Sequence, residues 1–191
     1  MQSRFAQHYL ICSVLHNKTY KMKQYDWNSF FEKFVNNNKY TFTFSEIKEH
    51  FHLSDKSLLQ GLYRYKKNKK IVQIRKEFYG ILIPRIASNG QLSYFEFLDD
   101  LMKSLDKSYY VALINAAALY GAAHQQPQIV YIFTNPPVPR NIKAQQLFFI
   151  SKLNLNQEFI IQKKTQTGFI NVSSPELTAL EFMHLYLEIR C

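Results

Sequence analysis

At 191 residues, with 47% hydrophobic and 16% aromatic side chains, the chain has the apolar content for one or two packed domains and too much of it to be disordered. Its two cysteines, Cys12 and Cys191, stand at opposite ends, which excludes a disulfide framework or a zinc ribbon. The formal charge of +10 is segregated, with +3 on residues 1–21 and +7 on 22–86 against zero on 87–191, and so points to a localised polyanion site.

Residues 1–21 read as an N-terminal extension, because Met22-Lys23 begins a well-formed capping sequence. Their apolar stretch, 5–15, is interrupted by Gln7 and His8 and lacks a small-x-small cleavage site, so it does not have the form of a signal peptide. No run approaches the roughly 20 apolar residues of a membrane span. The expected location is cytoplasmic, with no membrane partner.

Asp26 can cap a first helix over 27–36, in which Trp27, Phe30, Phe31 and Phe34 follow the spacing of one helical face. Asn36-Asn37-Asn38 ends it. A short extended segment at 40–42 leads into a second helix over 44–51, opened by a Thr43/Glu46 capping box with Phe42 and Ile47 as a hydrophobic staple. Ser54 caps a third helix over 55–68, whose inner face is expected to carry Leu58, Leu59, Leu62 and Tyr65. The two capped helices and the tight turn His52-Leu53 make a helix-turn-helix pattern. Residues 71–75 and 78–83 then read as strands joined into a hairpin by Lys76-Glu77. Helix, helix, helix, hairpin is the order of a winged helix, here over 22–86, and Ser88-Asn89-Gly90 is the clearest linker.

Residues 91–191 read as a small α/β domain with a mixed sheet flanked by helices, which makes the expected class α+β. Helices are expected over 92–105 and, from its alanines, over 109–120. Strands are expected at 128–134, 145–152, 159–163 and 168–172. Ser174-Pro175-Glu176 opens a final helix with a cap residue, a proline at the first helical position and an acid near the positive dipole end.

The candidate chemistry lies in 63–76 (YRYKKNKKIVQIRK), which holds seven Lys or Arg and no acid. On the third helix Lys56, Gln60 and Arg64 recur every four residues, with Ser57 and Gly61 beside them, on the face expected to oppose the leucines. A helix of this size fits the DNA major groove, where Gln pairs bidentately with adenine and Arg with guanine. Lys66, Lys67, Lys69, Lys70 and Lys76 would lie on phosphates, and Arg75 at the wing would reach a neighbouring minor groove. A lysine-rich run by itself is as often a solvated face; the helix pair, the hairpin and the neutral remainder favour double-stranded DNA. No RNP-type aromatic motif points to RNA, since Tyr63, Tyr65, Phe78 and Tyr79 are expected to pack in the core and wing. The six histidines are scattered, Asp99-Asp100 is expected to face solvent, and Glu46-x-Lys48 lacks the partner acid of a nuclease motif. No catalytic triad arrangement or phosphate loop is present, so neither an enzyme nor a cofactor or metal is expected.

The basic winged helix ending in Glu77-Phe78-Tyr79-Gly80-Ile81-Leu82, followed by YVALINAAALYG at 110–121, QIVYIFT at 128–134 and VSSPELTAL at 172–180, resembles the AbiEi-type antitoxins of type IV toxin-antitoxin (abortive-infection) systems. The resemblance covers 40–187 through the order and spacing of these landmarks. It implies a transcriptional autorepressor that binds inverted repeats in its own promoter, as a monomer or weak dimer that acts cooperatively on DNA. It also implies an α/β domain that neutralises a nucleotidyltransferase-like toxin without needing direct contact. Many relatives continue for further helices past the segment matching 174–187, and residues 1–21 have no counterpart among them. A protein-interaction module, or an orphan winged-helix regulator without antitoxin activity, is the alternative.

Overall fold

The computed structural model describes residues 26–84, 87–88, 91–123 and 127–190; the expectations for residues 1–21, Arg85, Asn89, Gly90, His124 and Cys191 lie outside them. Local capping fixes where the first elements begin. The Asp26 carboxylate accepts from the Ser29 amide at 3.0 Å and opens α1 (Trp27–Asn36). After β1 (Thr41–Thr43), the capping box closes in both directions. The Thr43 amide donates to Glu46 Oε2 at 2.7 Å and the Glu46 amide donates to Thr43 Oγ1 at 3.2 Å, starting α2 (Phe44–Phe51). His52 adopts the left-handed conformation that stops α2, and Ser54 caps α3 (Asp55–Lys67). The strands β2 (Ile71–Arg75) and β3 (Phe78–Ile81) follow, and β3 is the centre of an antiparallel sheet of order β1-β3-β2.

All four residues of β3 are buried, and they alternate between two cores. Tyr79 and Ile81 join Trp27, Phe30, Phe31, Phe42, Ile47, Leu58 and Leu62 beneath the three helices. Phe78 joins Leu92, Leu98, Leu101 and Met102 from the second half of the chain. On this second face a Cβ at Gly80 would lie 3.1 Å from Leu92 Cδ2 and 3.2 Å from both Ile74 Cδ1 and Val72 Cγ1, so the layers meet closely over the glycine and a side chain there would have to push three methyls aside. The expected linker is spanned by a short antiparallel pair, β4 (Ala87–Ser88) with β5 (Gln91–Leu92), and Leu92 turns straight into the shared core.

Two expected helices are corrected. The segment 92–105 is divided: Leu92 belongs to β5, Tyr94–Glu96 form a 3-10 turn, and only α4 (Leu98–Ser104) is α-helical. Segment 109–120 is also divided, into β6 (Tyr109–Val111) and α5 (Leu113–Leu119). The three β6 side chains are all buried, because both faces of the strand are covered, and no period-two signal survives in such a strand. The remaining strands, β7 (Val130–Thr134), β8 (Leu147–Ser151), β9 (Ile160–Lys164) and β10 (Phe169–Ser173), lie close to their expected positions.

These strands form a mixed sheet of order β8-β7-β6-β10-β9. The pairs β7/β8 and β6/β10 are parallel, and β6/β7 and β9/β10 are antiparallel. Tyr109, Val111, Ile132 and Val172 face α4 and the first sheet, whereas Tyr110 and Ala112 turn to the opposite face, where Leu177 of α6 (Pro175–Arg190) packs. On that face the Tyr110 hydroxyl donates to Glu181 Oε1 at 2.5 Å, and Lys152 Nζ donates to the same oxygen at 2.8 Å. Asn115 ties α5 to β7 by donating to the Ile129 carbonyl at 2.8 Å and accepting from the Tyr131 amide at 2.9 Å. The molecule is α+β, with six α-helices among the described residues. No described helix is long and apolar enough to cross a membrane.

Candidate nucleic-acid interface

The candidate interface is built on α3, and its inward face differs from the expected one. Leu58 and Leu62 are fully buried, and Tyr65 stacks on Trp27 at 5.3 Å between ring centroids. Gly61, expected on the basic face, points inward instead: a Cβ there would sit 2.2 Å from Trp27 Cζ2. Leu59, expected in the core, is 52% exposed, and Tyr63, expected to pack, is 68% exposed. At 100° per residue the centre of the buried face lies between Leu58, Leu62 and Tyr65, and Gly61 stands nearer to it than Leu59 does. The signal was present in the spacing, but Gly61 contributes no hydrophobicity with which to show it.

With that rotation, the outward face of α3 presents Lys56, Gln60, Tyr63 and Lys67, with Ser57 and Arg64 on one shoulder and Leu59 on the other, all exposed. Asp55 is the one acid between residues 50 and 76, and Lys48 pairs with it at 2.8 Å, so α3 presents no unpaired negative charge to an approaching polyanion. The Ser57 hydroxyl lies 3.0 Å from that of the capping Ser54, at the positive end of the helix dipole.

The C-terminal end of α3 is closed by a Schellman turn. The Lys70 amide donates to the Tyr65 carbonyl at 3.0 Å and the Lys69 amide to the Lys66 carbonyl at 3.1 Å. Lys69 occupies its left-handed position at φ 52°, where glycine would cost roughly 1 kcal/mol less. A cation therefore stands where backbone economy favours none. Lys66 Nζ donates to Gln73 Oε1 at 3.2 Å, and Lys70 Nζ lies 5.6 Å from the centre of the Tyr65 ring, which orients both cations beside β2. Burial and the Asp26 carboxylate push the Tyr65 hydroxyl above its usual range, so that ring stays neutral under Lys70.

No family model matches the chain, and no curated protein matches it. Lys56, Gln60 and Lys67 share the outward face of α3, Ser57 and Arg64 lie on one shoulder, Lys66 meets Gln73 of β2 on the other side, and Lys69 and Lys70 follow in the turn to β2.

The hairpin tip stands apart from this group. It lies at the far end of β2, roughly 15 Å from Lys70 at the rise of an extended strand. The turn is tied down, because the Phe44 amide at the start of α2 donates to the Glu77 carbonyl at 2.9 Å. Lys76 is exposed there, 3.8 Å from Glu77. Arg75 is only partly exposed, and its Nη1 is buried with no hydrogen-bond partner among the described residues. It lines a cavity of about 320 Å³ with Ser45, Leu101 and Ser104 and is not extended into solvent.

The carboxylates at 46, 99 and 100 have structural partners. Asp99 accepts from the Tyr109 hydroxyl at 3.1 Å and pairs with Lys103 at 2.6 Å. Asp100, expected to face solvent, accepts from the Thr41 hydroxyl and so ties α4 to β1. Glu46 completes the capping box and pairs with Lys39 at 2.7 Å. His50 packs against Phe30 and Phe51, and no group of three or more His, Cys, Asp or Glu among the described residues is placed to hold a metal.

Proposed function

We propose that this protein is a cytoplasmic transcriptional regulator that binds double-stranded DNA. In this reading α1–α3 with β1–β3 form a winged helix whose α3 enters the major groove. The observation that carries it is the outward face of α3. Gln60, the one amide side chain there, is flanked by Lys56, Arg64 and Lys67, with Lys66 and Lys70 oriented beyond it. Gln and Arg are the side chains that read base edges, and lysines on the rim neutralise phosphates. The resemblance to AbiEi-type antitoxins extends the proposal to autorepression at promoter inverted repeats and to an antitoxin role against a nucleotidyltransferase-like toxin. The protein acts by binding and not by catalysis.

Fluorescence anisotropy with a labelled duplex from the chain's own promoter tests this. About six phosphate contacts give a slope of roughly −5 in log affinity against log salt. Arg64→Ala with Lys67→Ala should weaken binding at least tenfold and flatten the slope by about 2. Affinity unchanged in that variant would remove α3 as the reading helix.

A second reading, a protein-interaction module, is favoured by Leu180 and Met183, which are 61% and 62% exposed on α6. A co-purifying protein together with no DNA affinity at physiological salt would select it.

A further inference from the structure

The apolar members of the α3 face are not explained by phosphate binding. Leu59 and Tyr63 lie one helical turn apart, exposed beside Gln60, on a surface otherwise polar and rich in cations. Solvation of a basic face gives no reason for an exposed tyrosine on it and an exposed leucine at its shoulder. The charge of +7 on residues 22–86 and the cations around this face favour a polyanionic occupant. In the major groove of a duplex one base-edge group is apolar, the C5 methyl of thymine, and G·C pairs offer none.

We propose that α3 reads A·T pairs in the major groove, with Gln60 bidentate on adenine N6 and N7 while Leu59 and Tyr63 cover neighbouring thymine methyls. The inference rests on the DNA-binding reading above and adds its base preference. Spacing supports the division of labour. Gln60 is next to Leu59 in sequence and one turn from Tyr63 and Lys56, so a single approach of the helix can place the amide on one base pair and the apolar atoms on its neighbours. Lys56, Arg64 and Lys67 border the same strip and hold it against the backbone.

The test uses three fluorescein-labelled duplexes of equal length: alternating A·T, alternating A·U and alternating G·C. Uracil keeps every hydrogen-bonding group of thymine and lacks only the methyl. The full chain should bind A·T about tenfold tighter than G·C. It should bind A·U weaker than A·T by roughly fourfold for each methyl covered, the ratio that corresponds to burying one methyl-sized group. In Leu59→Ala with Tyr63→Ala, two exposed positions whose replacement leaves the core intact, the A·T and A·U affinities should become equal while G·C binding is unchanged. In Gln60→Ala the A·T preference over G·C should fall while the A·T to A·U ratio persists.

Equal binding of the three duplexes by the unmodified chain overturns the inference and leaves DNA binding standing. Failure to bind any of them at low salt overturns the DNA reading itself. If the double variant keeps the thymine preference but loses a self-association that sedimentation detects in the unmodified chain, the face belongs to a protein contact and the inference falls.

Discussion

Gly61 shows how one hydrogen atom sets the geometry of the candidate interface. Trp27 lies across α3 where any side chain at 61 would be, and it is held there by stacking on Phe51 at 4.9 Å and on Tyr65 at 5.3 Å. A methyl at 61 would therefore have to displace an indole already stacked on two aromatic rings. Gly61→Ala should gain up to about 1 kcal/mol of helix propensity yet lose more to displacement of the ring, for a net destabilisation of about 1–3 kcal/mol. Urea denaturation followed by Trp27 fluorescence measures this. Equal or greater stability would mean that Trp27 has another low-energy place to go. The same residue explains why Leu59 is outside: with Gly61 facing in, the fourth hydrophobic position of the helix falls on its exposed shoulder.

At the scale of elements, α2 depends on Glu46. Burial raises the tendency of this carboxyl to stay protonated, but the Lys39 ammonium and the bonds from the Thr43 amide and hydroxyl outweigh it, and the net shift is below the ordinary value of 4.5. A carboxyl whose folded-state value is depressed stabilises the fold above its unfolded value, and that contribution disappears as pH falls through the folded value. Thermal stability should therefore decline as pH drops below about 4.5. Glu46→Gln, which can still complete the capping box, should lower stability at pH 7 and flatten the decline. An unchanged acid slope in that variant would assign the decline to other carboxylates. The turn motifs at this scale also decide where cations point. The Schellman turn after α3 brings Lys69 and Lys70 back beside Lys66, whereas Arg75, just before the anchored turn at Lys76-Glu77, lines a cavity shared with α4.

For the whole molecule, β3 is the strand on which both halves of the chain pack. Leu101 on α4 is fully buried in the same cluster as Ile74 and Phe78, and the single tryptophan, Trp27, lies in the other cluster, across the sheet. Removing the Leu101 side chain should cost about 2–5 kcal/mol and should be felt by both halves. Leu101→Ala is therefore expected to shift the Trp27 fluorescence transition and the far-UV circular dichroism transition together. A circular dichroism transition that moves while the Trp27 transition stays would show that the halves unfold independently.

The N-terminal elements were legible because their signals are local. A cap residue, a capping box and a 3.6-residue period act within about one helical turn, so Asp26, Thr43/Glu46 and Ser54 announce α1, α2 and α3 without knowledge of the rest of the chain. The segregation of positive charge and the identity of Lys56, Gln60, Arg64 and Lys67 were equally open to reading. Burial on two faces was not legible. The β6 strand and its following helix merged into one alanine-rich apolar run, because a strand covered on both sides loses its alternation. The direction of Leu59, Tyr63 and Gly61 was decided by Trp27, 34 residues before Gly61 in the chain, and Arg75 lines a cavity with Leu101 and Ser104 from the second half of the chain. The sequence by itself determined α1–α3, the hairpin and the basic surface. Tertiary packing decided which side of α3 faces outward and that the hairpin lies between two cores, since those choices depend on atoms that meet only after the chain has closed.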